Sequence, residues 1–306
     1  MAKEYHRSLA MVAAIESPTP QWSELVNQVY ERYERRHADG KLALNTLKQY
    51  QSMRPRIEYG FSEFTPDIVR TSDITQFLDL YEDTPNIANR MLTVIKAIFE
   101  RAVRQGMADI NPAFGIKRFE EKKRDRYLTD DEFKAIRSKA NPTIKLVMDM
   151  CYLTAQRISD VLAIQHSDIT KEGIKFQQEK TGKRLLVQME PELERIVAEA
   201  KQLHKVMCLY LFHPRGKNTP YSYRGIRDAY DRARTKAGIE DTTIHDIRAK
   251  SLTDAKRAGI DAQVLAGHVS PAMTERYIRL RETDNVAGPS LRQLLDKRQK
   301  IDKKCK

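Results

Sequence analysis

Cysteine is scarce in this 306-residue chain: Cys151, Cys208 and Cys305 are scattered, odd in number and without any C-x-x-C spacing. That excludes a disulfide framework and a zinc knuckle, and it suits a reducing cytoplasm. Neither H-E-x-x-H nor a glycine-rich phosphate loop occurs, so the sequence calls for no metal or nucleotide cofactor. Long apolar runs are missing too. A membrane span takes about 20 apolar residues, whereas the most apolar stretch, residues 143–155, is short and carries Lys145 and Asp149. The opening MAKEYHRSLAMVAAIES holds Glu4 and Glu16 and no sustained apolar core, so it does not read as a secretory signal. Acidic residues are in deficit, 42 against 54 lysines and arginines, and the resulting charge of +12 favours polyanions, nucleic acid foremost, as partners.

The apolar pattern predicts helices through the first third. In TPQWSELVNQVYERYERR, Trp22, Leu25, Val26, Val29, Tyr30 and Tyr33 form one stripe behind a Thr19-Pro20 start. A second helix follows Asn45, with Leu47, Tyr50 and Met53 inward and Pro55 just beyond them. Ser72 or Asp73 can cap a third, and a fourth runs through NIANRMLTVIKAIFERAVRQG to a natural stop at Gly106. Residues 19–116 are therefore expected to form a small helical domain after an N-terminal extension, 1–18. The charged run KRFEEKKRDRY, 117–127, reads as a linker whose basic residues, Lys122 and Lys123 among them, can follow a phosphate backbone.

In LTDDEF, Thr129 and Glu132 have the spacing of a capping box, so a second domain is expected over 128–287. Helical patterns dominate it, interrupted by GIKFQQEKTGKRLLVQM, which alternates and turns at Thr181-Gly182 like a β-hairpin. LYLFHP reads as a further short strand. Residues 288–306 form a tail with Leu291, Leu294 and Leu295 on one side and a basic end. The predicted class is mainly α with a small antiparallel sheet.

Several polar clusters in the second domain share a chemistry. QRISD places Arg157 and Asp160 at i, i+3; EKTGK sets Lys180 beside the hairpin turn; HDIR places His245 and Arg248 at i, i+3. His268 closes AGH, and Tyr277, one of 13 tyrosines, lies nine residues further on. Taken singly, each is explicable as surface or core decoration. Together they are what metal-free attack on a phosphodiester requires. Guanidiniums clamp the non-bridging oxygens as charge develops. A lysine can protonate a leaving oxygen and a histidine can take a proton from an attacking hydroxyl. Tyrosine, with a free pKa of about 10, needs nearby positive charge to serve as nucleophile.

The ordered series Arg157, Lys180, His245-x-x-Arg248, His268, Tyr277 resembles the tyrosine recombinase (phage integrase) family. TAQRISDVLAI, HDIRAKSLTDAKRAGID and VLAGHVSPAMTERYI look like that family's boxes, and the helical first third, with its INP segment, looks like its core-binding domain. The resemblance runs from about Pro20 to Tyr277. It implies a SAM-like helical core-binding domain and a catalytic domain of the DNA breaking-rejoining enzyme fold. It also implies a site-specific recombinase acting through a 3′-phosphotyrosyl intermediate, without cofactor, to integrate or excise a phage or other mobile element.

Carried over residue by residue, the resemblance makes Tyr277 the nucleophile, with Arg157 and Arg248 holding the non-bridging oxygens. Lys180 becomes the acid for the 5′ oxygen, His245 the acceptor of the tyrosine proton and His268 a hydrogen-bond partner of the phosphate, with Asp160 as buttress. Asp160 departs from the family's usual Glu, Ala155-Gln156 from its Gly-Leu or Gly-Met, and Ala266 from its Leu. The expected partners are double-stranded DNA at attachment sites, further copies of the chain as a tetramer on DNA, and accessory DNA-bending or directionality proteins, in the nucleoid of a bacterial host and without a membrane. Lys48, Arg54 and Arg90 are candidate DNA contacts in the first domain, and the tail is expected to dock on a neighbouring protomer. Residues 1–18 are too few for the arm-binding module of larger phage integrases, which implies a chain that lacks it, like Xer-type recombinases, or a shortened form. Three alternatives share this fold or chemistry: an Xer-like dimer-resolving recombinase, a type IB topoisomerase-like enzyme and a non-catalytic DNA-binding protein.

Overall fold

The computed structural model describes residues 20–122, 124–179, 181–203 and 208–278; the N-terminal extension, the tail, Lys123 and Lys180 lie outside them. The chain divides into two compact units with the boundary between Lys122 and Lys123.

Among its described residues the first unit has four helices: α1 (Pro20–Ala38), α2 (Leu44–Gly60), α3 (Thr71–Asp79) and α4 (Pro85–Arg104). The α1 stripe from Trp22 to Tyr33 is buried, as a helix with one apolar face must be. Trp22 sits between Phe61 and Phe99, with ring centroids 5.3 and 5.6 Å away. Helix α4 buries Met91, Leu92, Ile95, Ile98 and Phe99 and stops just before Gly106, whose φ of +70° suits a left-handed cap. One proline is accommodated inside a helix, and one local expectation, the cap of α3, is corrected. Helix α2 runs on through Pro55 to Gly60, because Met53 and Ile57 on either side of the proline are both buried and packing outweighs the lost backbone bond. Neither Ser72 nor Asp73 stands at the N-cap of α3: that residue is Arg70, and Asp73, inside the first turn, accepts from the Arg70 amide at 2.8 Å.

The segment between the units is less of a tether than its charge suggests. The buried Asn89 of α4 donates to the Phe119 carbonyl at 3.0 Å and to Glu121 at 2.9 Å, and accepts from the Phe119 amide at 2.9 Å. Beyond the boundary, Arg126 pairs with Glu132 at 2.6 Å, while Arg124 bonds Asp246 and Asp241.

The second unit comprises α5 (Asp130–Lys139), α6 (Pro142–Thr154), α7 (Ile158–Leu162), strands β1 (Gly173–Gln177) and β2 (Arg184–Gln188), then α8 (Pro191–Gln202), α9 (Tyr223–Lys236), α10 (Asp246–Arg257), α11 (Ala262–Ala266) and α12 (Pro271–Glu275). The Thr129–Glu132 capping box starts α5. Among the described residues the only sheet is the antiparallel β1–β2 hairpin, in register from Gly173 opposite Gln188 to Gln177 opposite Arg184. LYLFHP is not a strand. It makes one isolated bridge, Gln165 with Tyr210, and Leu211 and Phe212 are buried in succession, so the two-residue alternation of a half-buried strand is absent. The core gathers α5 to α9 and the hairpin around Val147, Met148, Ile174, Phe212 and Tyr230.

Candidate active site

Helix α6 ends at Ala155, a non-glycine residue with φ +53°, a conformation costing an L-residue roughly 1–2 kcal/mol. Gln156 is fully buried and Arg157 stands immediately before α7. Arg157 is thus the N-cap, not a residue on the helical face, and its Nη1 lies 3.8 Å from Asp160 and donates to Gln178 Oε1 at 3.1 Å. Asp160 is buried, its Oδ1 accepts from the Glu179 amide at 3.2 Å, and burial raises its carboxyl pKa.

His245 is the N-cap of α10 and Arg248 lies in its first turn. Asp246 fixes this start: its carboxylate accepts from the Thr243 amide at 2.8 Å, from the Thr243 hydroxyl at 3.0 Å, and from Arg124 Nε at 3.0 and 3.1 Å. His245 is left exposed while Arg248 is buried. Arg248 donates to two main-chain carbonyls, that of Ala155 from Nη1 and that of Ala266 from Nη2 at 3.0 Å. Its Nε has no hydrogen-bond partner among the described residues. Burial, then repulsion from Arg157, pulls its pKa down to about 10, which leaves it charged at neutral pH.

Gly267 ends α11 in the left-handed region, φ +65°, and hands the chain to His268. The His268 ring is buried, with Nε2 3.0 Å from Arg248 Nη2 and Nδ1 3.0 Å from Thr274 Oγ1. Since a guanidinium only donates, Nε2 is the acceptor and Nδ1 carries the hydrogen. Burial, then the charges of Arg248 and Arg157, pushes the pKa of His268 down to about 4. The ring is therefore neutral and orients Arg248.

Tyr277 follows α12. Its ring stacks on His268 at 5.3 Å and 27°, lies 5.3 Å from the Arg248 guanidinium carbon, and brings its hydroxyl to 3.3 Å from His245 Nε2. So Arg157, Asp160, His245, Arg248, His268 and Tyr277 gather in one unit, while Lys180 lies outside the described residues; its hairpin neighbours Gln178 and Thr181 reach this cluster.

The candidate DNA contacts do not share one environment. Lys48, Arg90 and Lys122 are exposed, and Lys123 is not described. Arg54 is occupied: it pairs with Glu58 at 2.9 Å and lies over the Tyr30 ring at 5.2 Å. A cleft of about 540 Å³ in the first unit is more basic, lined by Arg32, Arg36, Lys96, Arg101, Arg104 and Arg118 among others, against Glu31 and Glu100. It was not apparent in the sequence because its cations come from α1, α4 and the segment after them. Gln178, Gln156 and Asp246 were also missed; only Asp246 left a signal, the Thr243-x-x-Asp246 spacing of a helix start.

Among the described residues no group of three His, Cys, Asp or Glu could hold a metal ion, and no helix is long and apolar enough to cross a membrane. Residues 126–284, just over half of the chain, match the phage integrase family. The integrase of Enterobacteria phage 434 is 24% identical over 298 residues, covering 92% of this chain and 83% of that protein. The integrase of Enterobacteria phage P21 is 28% identical over 233 residues, 67% of this chain and 60% of that protein. The crystal structure of a lambda integrase tetramer bound to a Holliday junction has the same fold, with a TM-score of 0.75 at 23% identity over 85% of this chain and 80% of that one. Because the matched span contains every residue gathered around Tyr277, the cluster and the family coincide in one domain: the protein belongs to the phage integrase family of tyrosine recombinases.

Proposed function

We propose that Tyr277 is the nucleophile of a site-specific DNA recombination reaction. The observation that carries this reading is the 3.3 Å approach of its hydroxyl to His245 Nε2, beside a buried, charged Arg248. Tyr277 Oη attacks the scissile phosphorus and forms a 3′-phosphotyrosyl bond as the bond from phosphorus to the 5′ oxygen breaks. The phenol proton passes to His245, and Lys180 supplies a proton to the departing 5′ oxygen. Arg157 and Arg248 neutralise the charge that builds on the non-bridging oxygens. Attack by a 5′ hydroxyl on the phosphotyrosine reverses the sequence, so rejoining needs no nucleotide. His268 holds Arg248 until the phosphate arrives and then shares it, and Asp160 supports Arg157.

In this reading residues 128–287 are the catalytic domain, 19–116 the core-binding domain and 117–127 the connection. The basic cleft between α1 and α4 supports a duplex DNA partner, since an array of guanidiniums binds phosphates. The lambda integrase structures bound to core-site DNA and, as a tetramer, to a Holliday junction support attachment-site DNA and a tetramer as the working assembly. The tail, 288–306, docks on a neighbouring protomer, and accessory DNA-bending or directionality proteins select the reaction's direction. The curated relatives are phage and prophage integrases, which favours integration and excision over dimer resolution. The reaction takes place on the DNA of a bacterial host, in the cytoplasm.

The test is trapping. Duplexes carrying the attachment site and a nick beside the cleavage point lose the short 5′-hydroxyl fragment, so the covalent complex accumulates. The protein should form it without added metal through a 3′ phosphotyrosine, and Tyr277→Phe should not. Trapping by the Phe variant, or a requirement for magnesium, overturns the assignment.

A further inference from the structure

Gln178 belongs to none of the polar clusters from which the site is built, yet it is completely buried at the centre of the second unit. It follows β1 and begins the hairpin turn, accepting from the Gly182 amide at 2.7 Å through its own carbonyl. Its carboxamide uses all four of its hydrogen-bonding positions. Oε1 accepts from Arg157 Nη1 at 3.1 Å and from Thr181 Oγ1 at 2.8 Å. Nε2 donates to Gln156 Oε1 at 2.8 Å and to the Ala266 carbonyl at 2.7 Å. The orientation is determined by its partners. Rotating the amide would set its NH2 against the Arg157 guanidinium and its oxygen against the Ala266 carbonyl.

These contacts reach three separate pieces of the site. The Ala266 carbonyl that receives Gln178 also receives Arg248 Nη2. Gln156, bonded to Gln178, is itself fully buried and donates to the carbonyls of Thr154 and Leu265 at 3.0 and 2.8 Å, on either side of the site. Backbone packing provides an independent sign of the same constraint. A Cβ at Gly267 would fall 2.6 Å from Gln178 Nε2, so the turn leading into His268 is shaped to admit this amide.

We propose that Gln178 is a positioning residue for strand cleavage, its buried amide fixing Arg157 and the hairpin turn in register with the Ala266 carbonyl that holds Arg248. This rests on the reading above of the two arginines as the phosphate clamp. A core amide present only for stability would raise the melting temperature and leave the charge sensitivity of the reaction alone. An amide that aims a guanidinium acts through the charge on the phosphate, and that difference can be measured.

The experiment compares wild type, Gln178→Met and Thr181→Val in single-turnover trapping on the nicked duplex. Each protein is assayed on an ordinary scissile phosphate and on a methylphosphonate, in which one charged non-bridging oxygen is replaced by methyl. Gln178→Met should slow cleavage of the phosphodiester about 10²-fold, with DNA affinity held within about threefold. On the methylphosphonate, where less charge must be neutralised, its defect should shrink to about threefold. Thr181→Val, on the exposed side of the turn, removes one donor to Oε1 and should slow phosphodiester cleavage about fivefold, again with suppression on the methylphosphonate. It decides the matter should Gln178→Met fail to fold by circular dichroism. Equal defects on both substrates, or wild-type rates from a folded Gln178→Met, overturn the inference. A wild-type protein that traps nothing through Tyr277 overturns the proposed nucleophile instead.

Discussion

The hydroxyl of Tyr277 and Nε2 of His245 lie 3.3 Å apart although 32 positions separate them in the chain, and each sits at the end of a helix. Side chains at helix ends project from backbone that is not committed to the helical ladder. The proposed nucleophile and its proposed proton acceptor therefore meet at an exposed edge, beside the buried pair Arg248 and His268.

The division of proton transfers between His245 and Lys180 can be tested with one substitution in the DNA. Replacing the bridging 5′ oxygen with sulfur supplies a leaving group that departs without a proton. Lys180→Ala should slow cleavage of ordinary DNA by roughly 10²- to 10⁴-fold and recover on the sulfur substrate. His245→Ala should be slow on both, because attack by Tyr277 still releases a proton. Trapping rates on the two substrates check the assignment; recovery of His245→Ala would move the acid role to the histidine.

His268 predicts a pH dependence of stability. Its folded pKa of about 4 lies below the ordinary 6.5, so the unfolded chain binds the extra proton between those values. The stabilisation is fully present above pH 6.5 and is lost as the pH falls toward 4. The stability lost through this ring should be roughly 3 kcal/mol, visible as a fall in the urea midpoint that is shallower in His268→Asn. Ring nitrogen shifts should report a neutral ring protonated at Nδ1 at pH 6. A ring that titrates near 6.5 contradicts the buried geometry.

Most of the proposed chemistry could be read in the sequence because the residues assigned to it occur in an order. Arg157, the pair His245 and Arg248, and the pair His268 and Tyr277 stand in three separate boxes, and the fold gathers them in one unit. The helices of the first unit were legible for a different reason: α1 and α4 each have one apolar stripe, which a helical period exposes directly. What escaped reading depends on contacts with no local period. Arg124 reaches Asp246 across 122 positions, and nothing about Gln178 in FQQEKTG separates it from Gln177, which faces solvent. LYLFHP looked like a strand by composition, but tertiary packing claimed Leu211 and Phe212 together.

The basic cleft of the first unit predicts a salt dependence. Arg36→Gln and Arg104→Gln should each weaken DNA binding almost equally for attachment-site and unrelated duplexes, since phosphate contacts carry no sequence information. Each should lower the slope of log affinity against log salt by about 1. Arg54→Gln, whose guanidinium is engaged by Glu58 and Tyr30, should change that slope less. Fluorescence anisotropy at several salt concentrations measures all three, and an unchanged slope for the cleft variants removes it from the DNA path.

The grip on Arg248 explains how the family pattern can fade at the centre of the site. Both oxygens that hold its terminal nitrogens, at Ala155 and Ala266, belong to the main chain. Every amino acid carries that oxygen, so a change of side chain at either position removes no bond to Arg248 while the chain keeps its path. Ala155 and Ala266, two of the positions where this sequence departs from the family's usual spelling, thus hold Arg248 without using their side chains. A different side chain at either alanine leaves this backbone cradle for Arg248 in place.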